Sequence, residues 1–282
     1  MNHESHNNAT LKYINTYFLL YLFGNLSKKI LMFSIIVYLA RTIDYFSIIT
    51  FVIFYLAYMS VYFLNDYIDR PLDIGRKCIH PYKLVFNRKH LLILGVSHLL
   101  IFTTILFILD YKVAALSFVV VLFGILRSYI RDKTLREISL GILQFLQFCL
   151  FFYILGKPEG IVENITLLLQ FSLVYMFLYY IHKIPDSGEC KRKSLVYVVV
   201  ISILSILALA EVKDLILLIY LIASLIFVFL AYKLFTRQIT KESYAEVARI
   251  CSVLYHFLSL VLILFVVYGY FPEIPEYIFL HR

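Results

Sequence analysis

Apolar residues fall along this chain in long blocks, each closed by charged or turn-forming residues. The blocks occupy 30–46, 46–64, 90–109, 112–127, 138–156, 161–181, 195–210, 213–232 and 250–271. A hydrocarbon core about 30 Å thick takes about 20 apolar residues per helical crossing. The pattern therefore predicts an all-α, polytopic membrane protein with nine transmembrane helices. The apolar segment 11–26 is short and is closed off by Lys28 and Lys29, which predicts a helix lying along the interface. On this reading residues 1–29 are an N-terminal arm with an interfacial helix, 30–271 a nine-helix membrane domain, and 272–282 a short extracytoplasmic tail.

Composition points the same way. Of 282 residues 62% are hydrophobic and 16% charged, with a mean hydropathy of +0.86. Soluble domains carry about 45–50% apolar and about 25% charged residues, so a soluble enzyme, a disulfide scaffold and a disordered chain are excluded. Cys78, Cys149, Cys190 and Cys251 are far apart and form no CxxC pair, so they read as small membrane residues or reduced loop thiols. The first residues lack the basic stretch and cleavage site of a secretory signal, and no cleavage is expected.

Charge then sets orientation. A net charge of +8 would raise nucleic-acid binding in a soluble protein, but on membrane loops it is a topology signal, and no nucleic-acid partner is expected. The arm and the loops after spans 2, 4, 6 and 8 hold twenty-one Lys and Arg, and the opposite side holds five: Arg41, Lys112, Lys157, Lys213 and Arg282. Cytoplasmic loops carry the excess. An integral membrane protein is expected, with its amino end cytoplasmic and its carboxyl end extracytoplasmic.

The chemistry is concentrated after span 2, in NDYIDRPLD. Asn65, Asp69 and Asp73 stand four residues apart, with Asp66 and Arg70 beside them. Residues four apart share a helix face, and three oxygen-bearing side chains aimed one way at a helix end suit a hard divalent cation. Magnesium is typically held by one or two carboxylates plus substrate phosphates. Arg70, Arg76, Lys77 and Lys83 are placed to bind the remaining phosphate charge. Pro71 lacks the amide needed for helix bonding, so the helix is expected to end near Arg70, with a new one starting at Pro71 and Asp73 aimed differently. His98, Gln144, Gln147 and Gln170 lie within apolar spans and read as hydrogen-bonders between helices, Gln144 and Gln147 sharing a face that suits a cavity.

Asn65-x3-Asp69-x3-Asp73 at the cytoplasmic end of the second helix resembles the first signature of the UbiA superfamily of intramembrane prenyltransferases. The stretch RSYIRDKTLREISLG is similar to that family's basic-Thr segment leading into helix 5, here Arg131, Lys133, Thr134 and Gly141. The loop after span 6 falls where the family places a second aspartate motif, and the helix count agrees. The resemblance implies two bundled helix groups around a central cavity. There Asp69, Asp73 and Asp186 would hold Mg2+ and a polyprenyl diphosphate, Arg131, Lys133 and Lys183 would touch phosphate, and Asn65 would complete the catalytic set. The second motif departs from the pattern. Aligned on Asp186, its flanking acid positions hold His182 and Cys190, with Glu189 one residue early as a substitute ligand.

The function expected from this is Mg-dependent transfer of a polyprenyl group from its diphosphate to a hydrophobic aromatic or lipid acceptor, within membrane lipids. The alternative is a non-catalytic relative that binds an isoprenoid lipid, motivated by the eroded second motif. A transporter is disfavoured because the acids cluster at one face and the span interiors lack them.

Overall fold

The computed structural model describes residues 24–73, 86–183, 190–212 and 215–236, together with Tyr17 and Leu22. Every regular element among the described residues is helical. The helices are α1 (Gly24–Ala40), α2 (Tyr45–Asp73), α3 (Arg88–Leu109), α4 (Tyr111–Arg127), α5 (Lys133–Ile154), α6 (Ile165–Lys183), α7 (Cys190–Ala208) and α8 (Leu215–Thr236), with one helical turn at Gly160–Glu163. The ninth apolar block, 250–271, and the tail lie outside the described residues.

Among the described residues, three helices are long and apolar enough to cross a membrane: Tyr45–Arg70, Arg88–Leu109 and Thr134–Ile154. The 26 residues of the first span about 39 Å at 1.5 Å per residue, longer than a bilayer core. Thr104, on an exposed face of α3, donates its hydroxyl to the Leu100 carbonyl at 2.8 Å.

The chain divides into two compact units. The first contains Ile43–Arg136, the chain up to Phe33, and Tyr153–Leu155. Its frame is α2, α3 and α4. Asp110 alone joins the last two: its N–H donates to the Leu106 carbonyl at 2.8 Å, and its carboxylate accepts from Lys112 N at 2.7 Å and Val113 N at 3.1 Å. Helix α2 is let in against both neighbours at glycines. A Cβ on Gly95 would stand 2.6 Å from Leu64 Cγ, and one on Gly124 would stand 3.0 Å from both Val61 Cγ atoms. Tyr55, Met59, Phe63, Phe86 and Leu91 form the core here, with Tyr17, Leu22 and Leu26 packed on it.

The second unit contains Ser34–Thr42, Glu137–Phe152 and Gly156–Arg282. Gly156 at φ +65 ends α5 in the left-handed conformation, and Lys157 N closes the cap on the Phe152 carbonyl at 2.9 Å. Gln170 ties three helices together. Its Nε2 donates to Ser205 Oγ on α7 at 3.2 Å and to Ser224 Oγ on α8 at 2.9 Å, an interhelical role of the expected kind. Glu211, on the turn after α7, caps the start of α6: its carboxylate accepts from Thr166 N at 3.0 Å and Leu167 N at 2.8 Å.

Both ends of α1 differ from the pattern. The first helix is 24–40 rather than 30–46, so the expected border between arm and membrane domain at 29/30 falls inside it. The break before α2 sits at Arg41–Asp44 because Arg41 takes φ 53 and the Asp44 carboxylate caps Ser47 N at 2.6 Å. Lys29, expected in the arm, is 2% exposed on α1, with its Nζ 4.4 Å from the centre of the Tyr58 ring. Its methylene stem and the ring face explain how an ammonium is accommodated among apolar side chains.

Candidate functional site

Helix α2 runs unbroken through Pro71 to Asp73, which corrects the expected break near Arg70. Proline in a last turn forfeits one backbone bond, to the Tyr67 carbonyl, and the following turn still closes on its own. Asn65, Asp69 and Asp73 therefore occupy successive turns of one helix. The side chain of Asp73 is outside the described residues, as are the side chains of Lys133 and Lys183 on α5 and α6. Arg76, Lys77, Lys83, Asp186 and Glu189 lie outside the described residues altogether.

Asp69 is the best-defined member of the site. Arg136 Nη2 donates to its Oδ2 at 3.0 Å, and Arg131 Nη1 donates to its Oδ1 at 3.3 Å, one guanidinium for each oxygen. The Asp69 side chain is 14% exposed, Arg136 22% and Arg131 55%. Two anchors hold the inner arginine. Arg127 Nε, from the last turn of α4, donates to the Arg136 carbonyl at 3.2 Å. Asp132 caps α5, accepting from Leu135 N at 2.8 Å through its carboxylate and from Arg136 N at 3.0 Å through its carbonyl.

Other guanidinium groups line the same helix ends. Arg70 Nη1 donates to the Phe86 carbonyl. Arg88 stacks over the Tyr67 ring at 4.5 Å. Asn87, between Phe86 and Arg88, caps α3 by accepting from His90 N at 2.8 Å. Asn65 is half-buried one turn before Asp69.

Among the described residues no three His, Cys, Asp or Glu side chains come together. Both Asp69 oxygens face arginines, so the described part of the site fits an anion and does not by itself fit a magnesium ion. What it can do chemically is neutralise oxyanions in a partly shielded setting, where guanidinium–phosphate pairing is strong.

Of the polar residues expected inside the helices, His98 is 8% exposed, and its Nδ1 donates to the Leu94 carbonyl at 2.9 Å. In the neutral ring its Nε2 then accepts from the Tyr17 hydroxyl at 2.8 Å. Gln144 and Gln147 are 3% and 0% exposed, and Gln144 Oε1 has no hydrogen-bond partner among the described residues.

Sequence reasoning singled out Arg131 and missed Arg136 and Arg127 as partners of the acidic motif. A cation in the first turn of a helix opposes the helix dipole, but that Arg136 stands in such a turn emerges only once α5 is seen to begin at Lys133. The chain matches no family model, no curated protein and no solved structure.

Proposed function

We propose that this chain is an integral membrane prenyltransferase of the UbiA type, moving a polyprenyl group from its diphosphate to a hydrophobic acceptor. The observation that carries the reading is the meeting of Asn65-x3-Asp69-x3-Asp73, on one long apolar helix, with the arginines of the 131–136 segment at Asp69. In this reading nine helices cross the bilayer around a cavity, with the motif at the cytoplasmic face. The burial of Lys29 removes one loop cation from the cytoplasmic tally and leaves twenty against five.

The arginines bind and neutralise the diphosphate as leaving group. The bond between the allylic carbon and the bridging oxygen breaks, its electron pair stays on the diphosphate, and a nucleophilic acceptor atom traps the allylic cation and then loses a proton. Fixed positive charge aimed at the departing oxygens stabilises them in the transition state. Aromatic ring faces suit the cation. Magnesium is the proposed cofactor, with Asp73, Asp186 and Glu189 as its further ligands beside Asp69.

A second reading, an isoprenoid-lipid binder without catalysis, is favoured by one observation. His182 and Cys190 stand where acids would flank Asp186. The test is to offer the purified protein magnesium and prenyl diphosphates of several chain lengths and to follow diphosphate release. Release from any donor supports the transferase. Saturable binding of a donor without release supports the lipid binder.

A further inference from the structure

We infer that Arg131 and Arg136 form an oxyanion clamp in which the Asp69 carboxylate is the resident occupant, and that a diphosphate enters by exchanging for Asp69. The inference takes its ligand from the prenyl-diphosphate reading; the clamp itself is read from the geometry at Asp69.

Three observations carry it. The carboxylate lies between two guanidinium groups, each oxygen facing a different one at 3.0 and 3.3 Å. Carboxylate and phosphate present the same kind of paired oxygens to a guanidinium fork, so what holds one will hold the other. The two jaws also differ. Arg136 is 22% exposed and anchored through its own backbone to Arg127 and Asp132, whereas Arg131 is 55% exposed in the link between α4 and α5. One jaw is fixed and the other is open to the solvent from which a ligand arrives.

The third observation is electrostatic. Asp69 sits near the C-terminal end of α2, where the helix dipole disfavours an acid, and Arg136 sits in the first turn of α5, where it disfavours a cation. Each charge relieves the other. A diphosphate brings more negative charge than one carboxylate, so exchange strengthens the contact with both arginines.

The test uses the full-length protein in detergent with all divalent metal chelated, and inorganic pyrophosphate as the probe, followed by calorimetry. Asp69→Asn removes the competing charge and is expected to tighten pyrophosphate binding about tenfold, in line with the loss of a competing charge-assisted hydrogen bond. Adding Arg136→Gln or Arg131→Gln to Asp69→Asn is expected to abolish that gain. Pyrophosphate binding to Asp69→Asn that is no tighter than to the wild type overturns the clamp, as does a gain that survives both glutamine changes. Should Asp69→Asn fail to fold, Arg131→Gln alone, at an exposed position, decides: unchanged pyrophosphate binding overturns the inference, and weakened binding supports it.

A parallel arm replaces pyrophosphate by nanodiscs carrying phosphatidic acid. A gain seen only there overturns the diphosphate as ligand. Donor turnover with no pyrophosphate gain removes the clamp and leaves the transferase, while a gain with no turnover from any donor does the reverse.

Discussion

Arg136 reaches Asp69 at 3.0 Å across 67 positions of sequence, and each of the two stands at the helix end that its charge opposes. Helix dipoles place positive character at N-termini and negative character at C-termini. The ion pair relieves both unfavourable placements at once.

Removing one partner should therefore cost more than a surface ion pair. Arg136→Gln is expected to destabilise the protein by about 1–2 kcal/mol, between the exposed and buried ranges, and Arg131→Gln by less than about 1 kcal/mol. Thermal unfolding in detergent measures both. Equal losses would mean that the difference in shielding between the two arginines is energetically irrelevant.

Asp69→Ala should abolish any magnesium-dependent diphosphate release, because it takes away the central acid of the motif and leaves both guanidinium groups facing one another. Asp66→Ala, on the neighbouring face of α2, should retain measurable release. A variant at Asp69 with wild-type turnover would separate the motif from catalysis.

The glycine contacts of α2 predict a specific rescue. Gly95→Ala places a Cβ within 2.6 Å of Leu64 Cγ and should destabilise by about 1–3 kcal/mol, the usual cost of overpacking. Adding Leu64→Ala should recover part of that loss, so the double variant is more stable than the sum of the two single changes predicts. Strict additivity in the cycle would show that the two positions do not meet.

Asp44 supplies a pH dependence with a definite sign. Its hydrogen bonds to Ser47 hold its carboxyl below the usual aspartate range. A lowered folded-state value means stability that is present above the unfolded value and lost as pH falls through the folded one. Wild-type unfolding temperature should therefore drop between about pH 5 and about pH 3 by more than that of Asp44→Asn, since asparagine caps as well but does not titrate. Parallel curves for the two proteins would assign the acid sensitivity elsewhere.

The apolar blocks made most helices legible in advance. Blocks 46–64, 90–109, 112–127 and 138–156 coincide closely with the middles of α2 to α5, because twenty apolar residues in a row leave the chain few alternatives. Ends were less legible. The start of α1 was hidden because Lys29 reads as a loop charge until Tyr58 supplies a ring face for it, a contact between residues far apart in sequence. The run of α2 through Pro71 was hidden because proline near a helix end costs far less than proline inside one. In the site, Asn65, Asp69 and Arg131 could be named from spacing and resemblance. Arg136 could not, because its role depends on a helix dipole that exists only once α5 has a defined first turn.

The Glu211 cap on α6 carries a consequence for biosynthesis. Thr166 and Leu167 leave the ribosome 45 and 44 residues ahead of the carboxylate that binds their amides. At about 5–20 residues per second, that is a wait of about 2–9 s. During that interval the amides of Thr166 and Leu167 lack the acceptor that caps them in the finished fold. The whole of α7 is translated in the meantime, so α6 reaches its finished form only when its successor has been threaded past it. A ribosome stalled before codon 211 would hold a helix that is fully made but not yet fastened at its leading end.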